Sequence, residues 1–172
     1  PEARIGAITL DRDALALCYD LSNIREASVR KIEGIIGLPL FQTHIVQMDF
    51  DTHRIVISLP STAPKSAWGD SINISYNEAK LPTVIINFGN GISERCIVDT
   101  GYDGPLWLSK KLYAKLLDEK QVFAGEEIPI STVNGHGAVR DGIVNHIKIG
   151  SIEDDGVLIS EGTAESRIGL GY

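Results

Sequence analysis

Apolar and polar residues alternate in short runs along this chain, and turn residues cut most runs before they reach helical length. The runs 45–50 (Ile-Val-Gln-Met-Asp-Phe) and 54–59 (Arg-Ile-Val-Ile-Ser-Leu) flank Asp51-Thr52-His53 and predict a hairpin. A second hairpin is predicted from 83–88 and 93–98, around Gly89-Asn90-Gly91, whose Asn-Gly pair suits positive φ. Strands resume at 128–133 and 142–149, joined around Asn134-Gly135-His136-Gly137, a tip rich in residues that tolerate unusual backbone angles. The segment 108–119 has clear helical period, with Leu108, Leu112, Tyr113, Leu116 and Leu117 on one face and Ser109 as N-cap.

The sharpest break in the pattern is Leu59-Pro60-Ser61-Thr62-Ala63-Pro64-Lys65-Ser66. Two prolines among small polar residues fit neither strand nor helix and predict a linker over 60–71. The chain also repeats itself. Arg4-Ile5-Gly6-Ala7-Ile8 returns as Lys148-Ile149-Gly150-Ser151-Ile152, each followed by an acidic turn (Glu153-Asp154-Asp155-Gly156 in the second copy) and a short apolar strand, 14–18 and 157–160. Ile36-Gly37-Leu38 and Ile168-Gly169-Leu170 follow, 31 residues after the first landmark and 19 after the second, so the first copy carries an insertion. Two landmarks in the same order predict a duplicated β-rich unit.

Composition sharpens the fold class. Of 172 residues 43% are apolar but only 6% aromatic, and 23 Ile with 10 Val favour pleated, half-buried strands over a helical bundle. No apolar run approaches the roughly 20 residues of a membrane-spanning helix, and no apolar stretch follows a basic start. The chain opens on Pro1 rather than Met, so an upstream segment is expected and the compartment is unreadable. A net charge of −7 argues against nucleic acid or an anionic membrane as partner. Cys18 and Cys96 match no zinc or redox spacing, and their apolar neighbours predict buried thiols rather than a disulfide. His44, His53, His136 and His146 lack metal-ligand spacing. Asp49-Phe50-Asp51-Thr52 departs from a phosphatase nucleophile motif, and Gly89-Asn90-Gly91 opens no helix as a phosphate loop would. Glu153-Asp154-Asp155-Gly156 reads as a solvated turn before it reads as a calcium loop, so neither metal nor cofactor is implied.

The chemistry concentrates at Cys96-Ile97-Val98-Asp99-Thr100-Gly101. A carboxylate emerging from a buried strand is costly unless paired, hydrogen-bonded or functional. Thr100 offers a bracing hydroxyl and Gly101 allows close backbone approach. Asp-Thr-Gly is also a common turn tripeptide. In this context, with a permissive hairpin tip and an apolar-Gly landmark downstream, residues 72–172 resemble the retroviral-like (retropepsin-like) aspartic proteases, the bacterial and archaeal members and the eukaryotic DNA-damage-inducible type above all. Residues 34–41 and 46–50 resemble the closing helix and strand of that family, as if from a preceding copy.

The resemblance implies a mainly β, acid-protease-like closed barrel with a flap hairpin and one or two short helices. It implies residues 1–59 as the end of a first repeat, 60–71 as linker and 72–172 as a second, truncated repeat, with 38–59 completing the barrel begun by 72–172 in this chain or a partner. Asp99 matches the catalytic aspartate, with Thr100 and Gly101 in its loop; residues 131–145 match the flap, placing Asn134, Gly135 and His136 with Tyr102 and Asp103 as substrate-binding candidates. Ile168-Gly169 matches the element beneath the catalytic loop. Two departures stand out: Tyr102-Asp103-Gly104 where Ala or Ser usually follows the motif, and Arg167 where a second apolar residue is usual.

Such enzymes hydrolyse peptide bonds with a water activated by two aspartates sharing a proton, one acting as base and the other as acid. This chain has one Asp-Thr-Gly, so the expected second aspartate comes from a two-fold partner or the missing part of the first repeat. Peptide or unfolded protein is the expected substrate. The competing expectation is a retropepsin-like binding or scaffold domain without a functional dyad.

Overall fold

The computed structural model describes residues 4–5, 8–9, 18–27, 31–37, 43–62, 68–132, 135–162, 165–169 and 171. The chain divides into two units, Pro1–Trp68 and Gly69–Tyr172. Asn134, the landmark residues Gly6, Ala7, Leu38 and Leu170, and the linker core 63–67 lie outside the described residues, as does the strand expected at 14–18 apart from exposed Cys18.

In the first unit, β1 (Arg4–Ile5) pairs antiparallel with β2 (Ile8–Thr9), and the short helix α1 (Ser22–Ala27) follows. The predicted hairpin forms from β3 (Ile45–Asp49) and β4 (Arg54–Ser58), paired from Asp49↔Arg54 to Ile45↔Ser58. Its turn is fixed locally: Thr52 N–H donates to Asp49 Oδ1 at 2.9 Å and His53 takes φ 54°. That local bond accounts for Asp49 without phosphatase chemistry. No described residue of this unit is buried.

The second unit is mainly β. Its strands are β5 (Ser75–Tyr76), β6 (Pro82–Asn87), β7 (Ser93–Val98), β8 (Leu106–Ser109), β9 (Val122–Thr132), β10 (Gly135–Ile149), β11 (Ile152–Gly162) and β12 (Arg167–Ile168). They form one mixed sheet in the order β5-β6-β7-β12-β8-β11-β10-β9, and Lys148↔Asn87 additionally pairs β10 with β6. β12 is parallel to β7 and antiparallel to β8, while β8 runs parallel to β11. The core joins Ile86, Phe88, Cys96, Leu106, Leu108, Leu116, Val144, Ile147, Ile149 and Ile159.

Helix α2 (Lys110–Asp118) starts later than its period predicts, because Leu108 lies within β8, and Ser109, the last residue of that strand, caps the helix by accepting Leu112 N–H at 3.3 Å. Leu112, Tyr113 and Leu116 are its buried face. β9 begins at Val122, well before the predicted 128, and β10 begins at Gly135 rather than 142. The outer lengths of these strands pair mainly with each other and remain largely exposed, so they carry no alternating apolar signal.

The described residues of the two Ile-Gly motifs pair in equal registers. Arg4↔Thr9 and Ile5↔Ile8 have the same register as Lys148↔Glu153 and Ile149↔Ile152. The acidic run after the second copy is not a turn. Glu153 and Asp155 lie within β11, paired across the ladder with Lys148 and His146. Backbone pairing overrides the turn tendency, and each of these two side chains has a partner across the ladder: Lys148 Nζ pairs with Glu153, and His146 Nδ1 lies 2.7 Å from Asp155 Oδ1. Cys96 is buried and free as expected, whereas Cys18 is exposed and free. Among the described residues, no helix is long and apolar enough to cross a membrane.

Candidate active site

β7 carries its buried Cys96 and Ile97 to half-buried Val98 and delivers Asp99 immediately beyond the strand. The two-residue strand β12 holds this end in place: Ile97 N–H donates to Ser166 O at 2.9 Å and Asp99 N–H to Ile168 O at 2.8 Å. The chain then turns sharply, with Tyr102 N–H donating to Asp99 O at 3.1 Å. Within that turn Gly101 N–H donates to Asp99 Oδ1 at 3.0 Å, fixing one carboxylate oxygen through the loop's own backbone.

The other oxygen is also engaged. Arg167 Nη1 donates to Asp99 Oδ2 at 2.7 Å, with the two side chains 33% and 30% exposed. The pair uses one nitrogen of the guanidinium fork. Arg167 Nε is buried and has no hydrogen-bond partner among the described residues.

Glycine is required less at Gly101 than beneath the loop. A Cβ on Gly101 would stand 3.3 Å from Asp99 Oδ1, whereas one on Gly169 would stand 2.3 Å from Gly104 O and 2.4 Å from Tyr102 O. Gly169 N–H in turn donates to Pro105 O at 3.0 Å, drawing the apolar-Gly segment against the Asp-Thr-Gly loop. Ser166 is buried, and its hydroxyl accepts Ser109 N–H at 3.0 Å, tying this support to the start of α2.

The remaining candidates occupy different surroundings. Thr100 is exposed and has no hydrogen-bond partner among the described residues. Asp103 is exposed. Tyr102 is half-buried: its hydroxyl lies 3.4 Å from both Leu106 O and Ser160 Oγ, and its ring meets Trp107 edge-on at 5.8 Å. Burial pushes the Tyr102 hydroxyl above its ordinary pKa. The Tyr102 side chain therefore packs against β8 and β11, while its backbone N–H closes the turn at Asp99.

Gly135, with φ 121°, and His136 follow the tip of the β9–β10 hairpin, where Ser131 Oγ and His136 Nδ1 lie 2.9 Å apart and Thr132 Oγ1 donates to Gly135 O at 3.2 Å. Among the described residues, no hydrogen bond joins Gly135 or His136 to the 99–103 loop. Residues 99–102 thus share one turn, while Gly135 and His136 lie on a separate element. In the sequence Arg167 stands out only as a departure in packing, and Ser166 does not stand out at all. The signal for Arg167 was a charge inside an apolar-Gly landmark; Ser166 carried none. Among the described residues, no group of three or more His, Cys, Asp or Glu side chains is placed to hold a metal ion.

A solved structure of a retropepsin-like aspartic protease from Rickettsia conorii is similar to 57% of this chain and 74% of its own, at 22% identity and a TM-score of 0.43. No protein-family model and no curated protein matches the chain.

Proposed function

We propose that this chain supplies one half of an aspartic endopeptidase site, with Asp99 as its contribution to a dyad. The observation that carries the reading is the seat of Asp99: a partly exposed carboxylate at the end of a buried strand, with Oδ1 held by Gly101 N–H and its backbone held by Ile168 O. A fixed inner oxygen leaves the outer oxygen to exchange its partner for water or a peptide carbonyl, as general acid–base hydrolysis requires. Two such carboxylates about 3 Å apart share one proton and divide the acid and base roles. The second aspartate comes from a two-fold partner copy or a neighbouring repeat. Thr100, exposed and unpartnered among the described residues, is available to brace the facing loop. Peptide or unfolded protein is the substrate, Tyr102 and Asp103 border it, and the 131–145 hairpin with Asn134, Gly135 and His136 closes over it. No cofactor takes part.

Residues 1–59 are read as the end of a preceding repeat, 60–71 as linker and 72–172 as a second repeat. The equal registers of the two Ile-Gly hairpins support this duplication.

One observation favours a second reading. The ion pair between Arg167 and Asp99 Oδ2 occupies the oxygen that hydrolysis needs, as a retropepsin-like scaffold without turnover would allow. Cleavage of an unstructured protein between about pH 4 and 7, compared with Asp99→Asn, separates the two. Protease function requires cleavage that Asp99→Asn abolishes and that falls on dilution if a partner copy completes the site. Cleavage surviving the substitution, or no cleavage at any pH or concentration, rejects it.

A further inference from the structure

Arg167 is a cation at a position where it is not needed to build the strand. Its backbone pairs with Ile97 and Trp107, and any residue other than proline could make those bonds. Its side chain instead reaches the carboxylate around which the proposed reaction is organised. The contact is a single Nη1–Oδ2 bond, although a guanidinium offers five N–H donors and pairs best with carboxylates through two parallel bonds. Buried Nε has no partner among the described residues, so the present seat leaves a donor unmet. Burial withholds Nε from a ligand, but a guanidinium that is one-third exposed and makes one hydrogen bond has terminal N–H groups with capacity for a second carboxylate.

Charge counting gives the same direction. If two copies face each other about a two-fold axis, a dyad sharing one proton carries one negative charge while two Arg167 side chains carry two positive ones. Immediately around the dyad the two guanidinium groups outnumber the single negative charge, while the exposed Asp103 carboxylates stand at the edge of the loop. A peptide whose scissile carbonyl comes within about 3 Å of Asp99 Oδ2 places its neighbouring side chains beside the group that lies 2.7 Å from the same oxygen.

We infer that Arg167 is a specificity-determining residue that selects an acidic side chain, Asp or Glu, next to the scissile bond. The substrate class is therefore acidic peptides. The substrate carboxylate takes over the guanidinium fork and leaves Asp99 Oδ2 free for the attacking water. This inference rests on the endopeptidase reading for where the peptide lies, but its recognition step is measurable without turnover.

Two fluorescein-labelled octapeptide pools, with Glu or Gln fixed at the fourth position and the rest degenerate, are titrated against the full chain by fluorescence anisotropy. Wild type is expected to bind the Glu pool about tenfold more tightly, the scale of one charge-assisted hydrogen bond. Arg167→Leu should bring the ratio to about one and Arg167→Lys should restore part of it. Asp99→Asn should raise the ratio, because it removes the competing carboxylate. Circular dichroism of each variant excludes misfolding, and Asp99→Asn tests the charge competition while leaving Arg167 in place. Equal binding of both pools by wild type, or a preference that survives Arg167→Leu, overturns the inference. A Glu preference that depends on Arg167 in a protein that cleaves nothing would uphold the recognition and reject the endopeptidase reading, so the two fail separately.

Discussion

Gly169 and Gly101 both belong to the region around Asp99, yet packing places opposite demands on them. Added to Gly169, a methyl group collides with two backbone carbonyls, Gly104 O and Tyr102 O, which cannot swing aside without moving the loop. Gly169→Ala is expected to cost about 3 kcal/mol in urea unfolding, whereas Gly101→Ala, which meets only a side-chain oxygen at 3.3 Å, should cost about 1 kcal/mol or less. Equal losses would show that the carbonyl contacts are not what demands glycine. Cys96 yields a pH prediction at the same scale. Burial pushes its thiol from 9.0 up to about 12, so the unfolded thiol ionises first as pH rises. Its stabilising contribution is whole below pH 9 and is lost progressively towards pH 12, at about 1.4 kcal/mol per pH unit. Urea titrations at pH 9 and pH 10 should show a loss of about 1 kcal/mol in wild type, because the unfolded thiol is half ionised at pH 9, and a smaller one in Cys96→Ala. The tyrosine hydroxyls of Tyr102 and Tyr113, also raised by burial, add their own loss mainly above pH 10. An identical slope in the variant would assign the alkaline sensitivity elsewhere.

Among the elements, α2 was the most legible. Its period named Leu112, Tyr113 and Leu116, all buried, and its cap was readable because Ser109 stands where a hydroxyl can meet the Leu112 N–H. Ser109→Ala should lower stability by about 1 kcal/mol with little change in cooperativity; a loss below a few tenths would mean that the Ser109 hydroxyl does not carry the cap. Leu108 was misplaced because an apolar residue at the strand–helix junction satisfies both periods, and the ladder with β11 decided it: Glu161↔Leu108. The β9–β10 hairpin was half legible. Its inner strand residues alternate against the core, but its outer length carries Glu126, Glu127 and Arg140, and backbone pairing rather than burial makes it a strand. The acidic run 153–155 reads as a turn for the related reason that Glu153 and Asp155 find side-chain partners on the neighbouring strand, Lys148 and His146. Turn composition cannot register a partner on another strand.

Across the whole molecule, burial is unevenly distributed. Every buried hydrophobic residue described falls between Val84 and Ile159, within the second unit, while the β3–β4 hairpin of the first is paired but unburied on either face. A two-stranded hairpin is marginal in water without a packed face. Native-state hydrogen exchange should therefore find amides of β6, β7 and β8 opening only with global unfolding, and those of Gln47 and Val56 exchanging orders of magnitude faster. Comparable protection would mean that an apolar surface covers the hairpin in solution.

The sequence by itself determined the elements whose cause is local. Strand alternation, the Asn-Gly turn, the helix period with its cap, and the passage from buried strand to Asp99 are written in adjacent residues, as is the repeat around Ile5 and Ile149. Only the tertiary structure decided what Asp99 touches. Arg167 lies 68 residues further along and reaches the carboxylate because two residues of β12 slot between β7 and β8. No periodicity encodes that insertion. The same insertion explains why Gly169 rather than Gly101 is the constrained glycine: its neighbours are the carbonyls of residues 102 and 104, brought close by the sheet and not by the chain. Contacts of this kind depend on strand order, and strand order is set by how the core as a whole is buried.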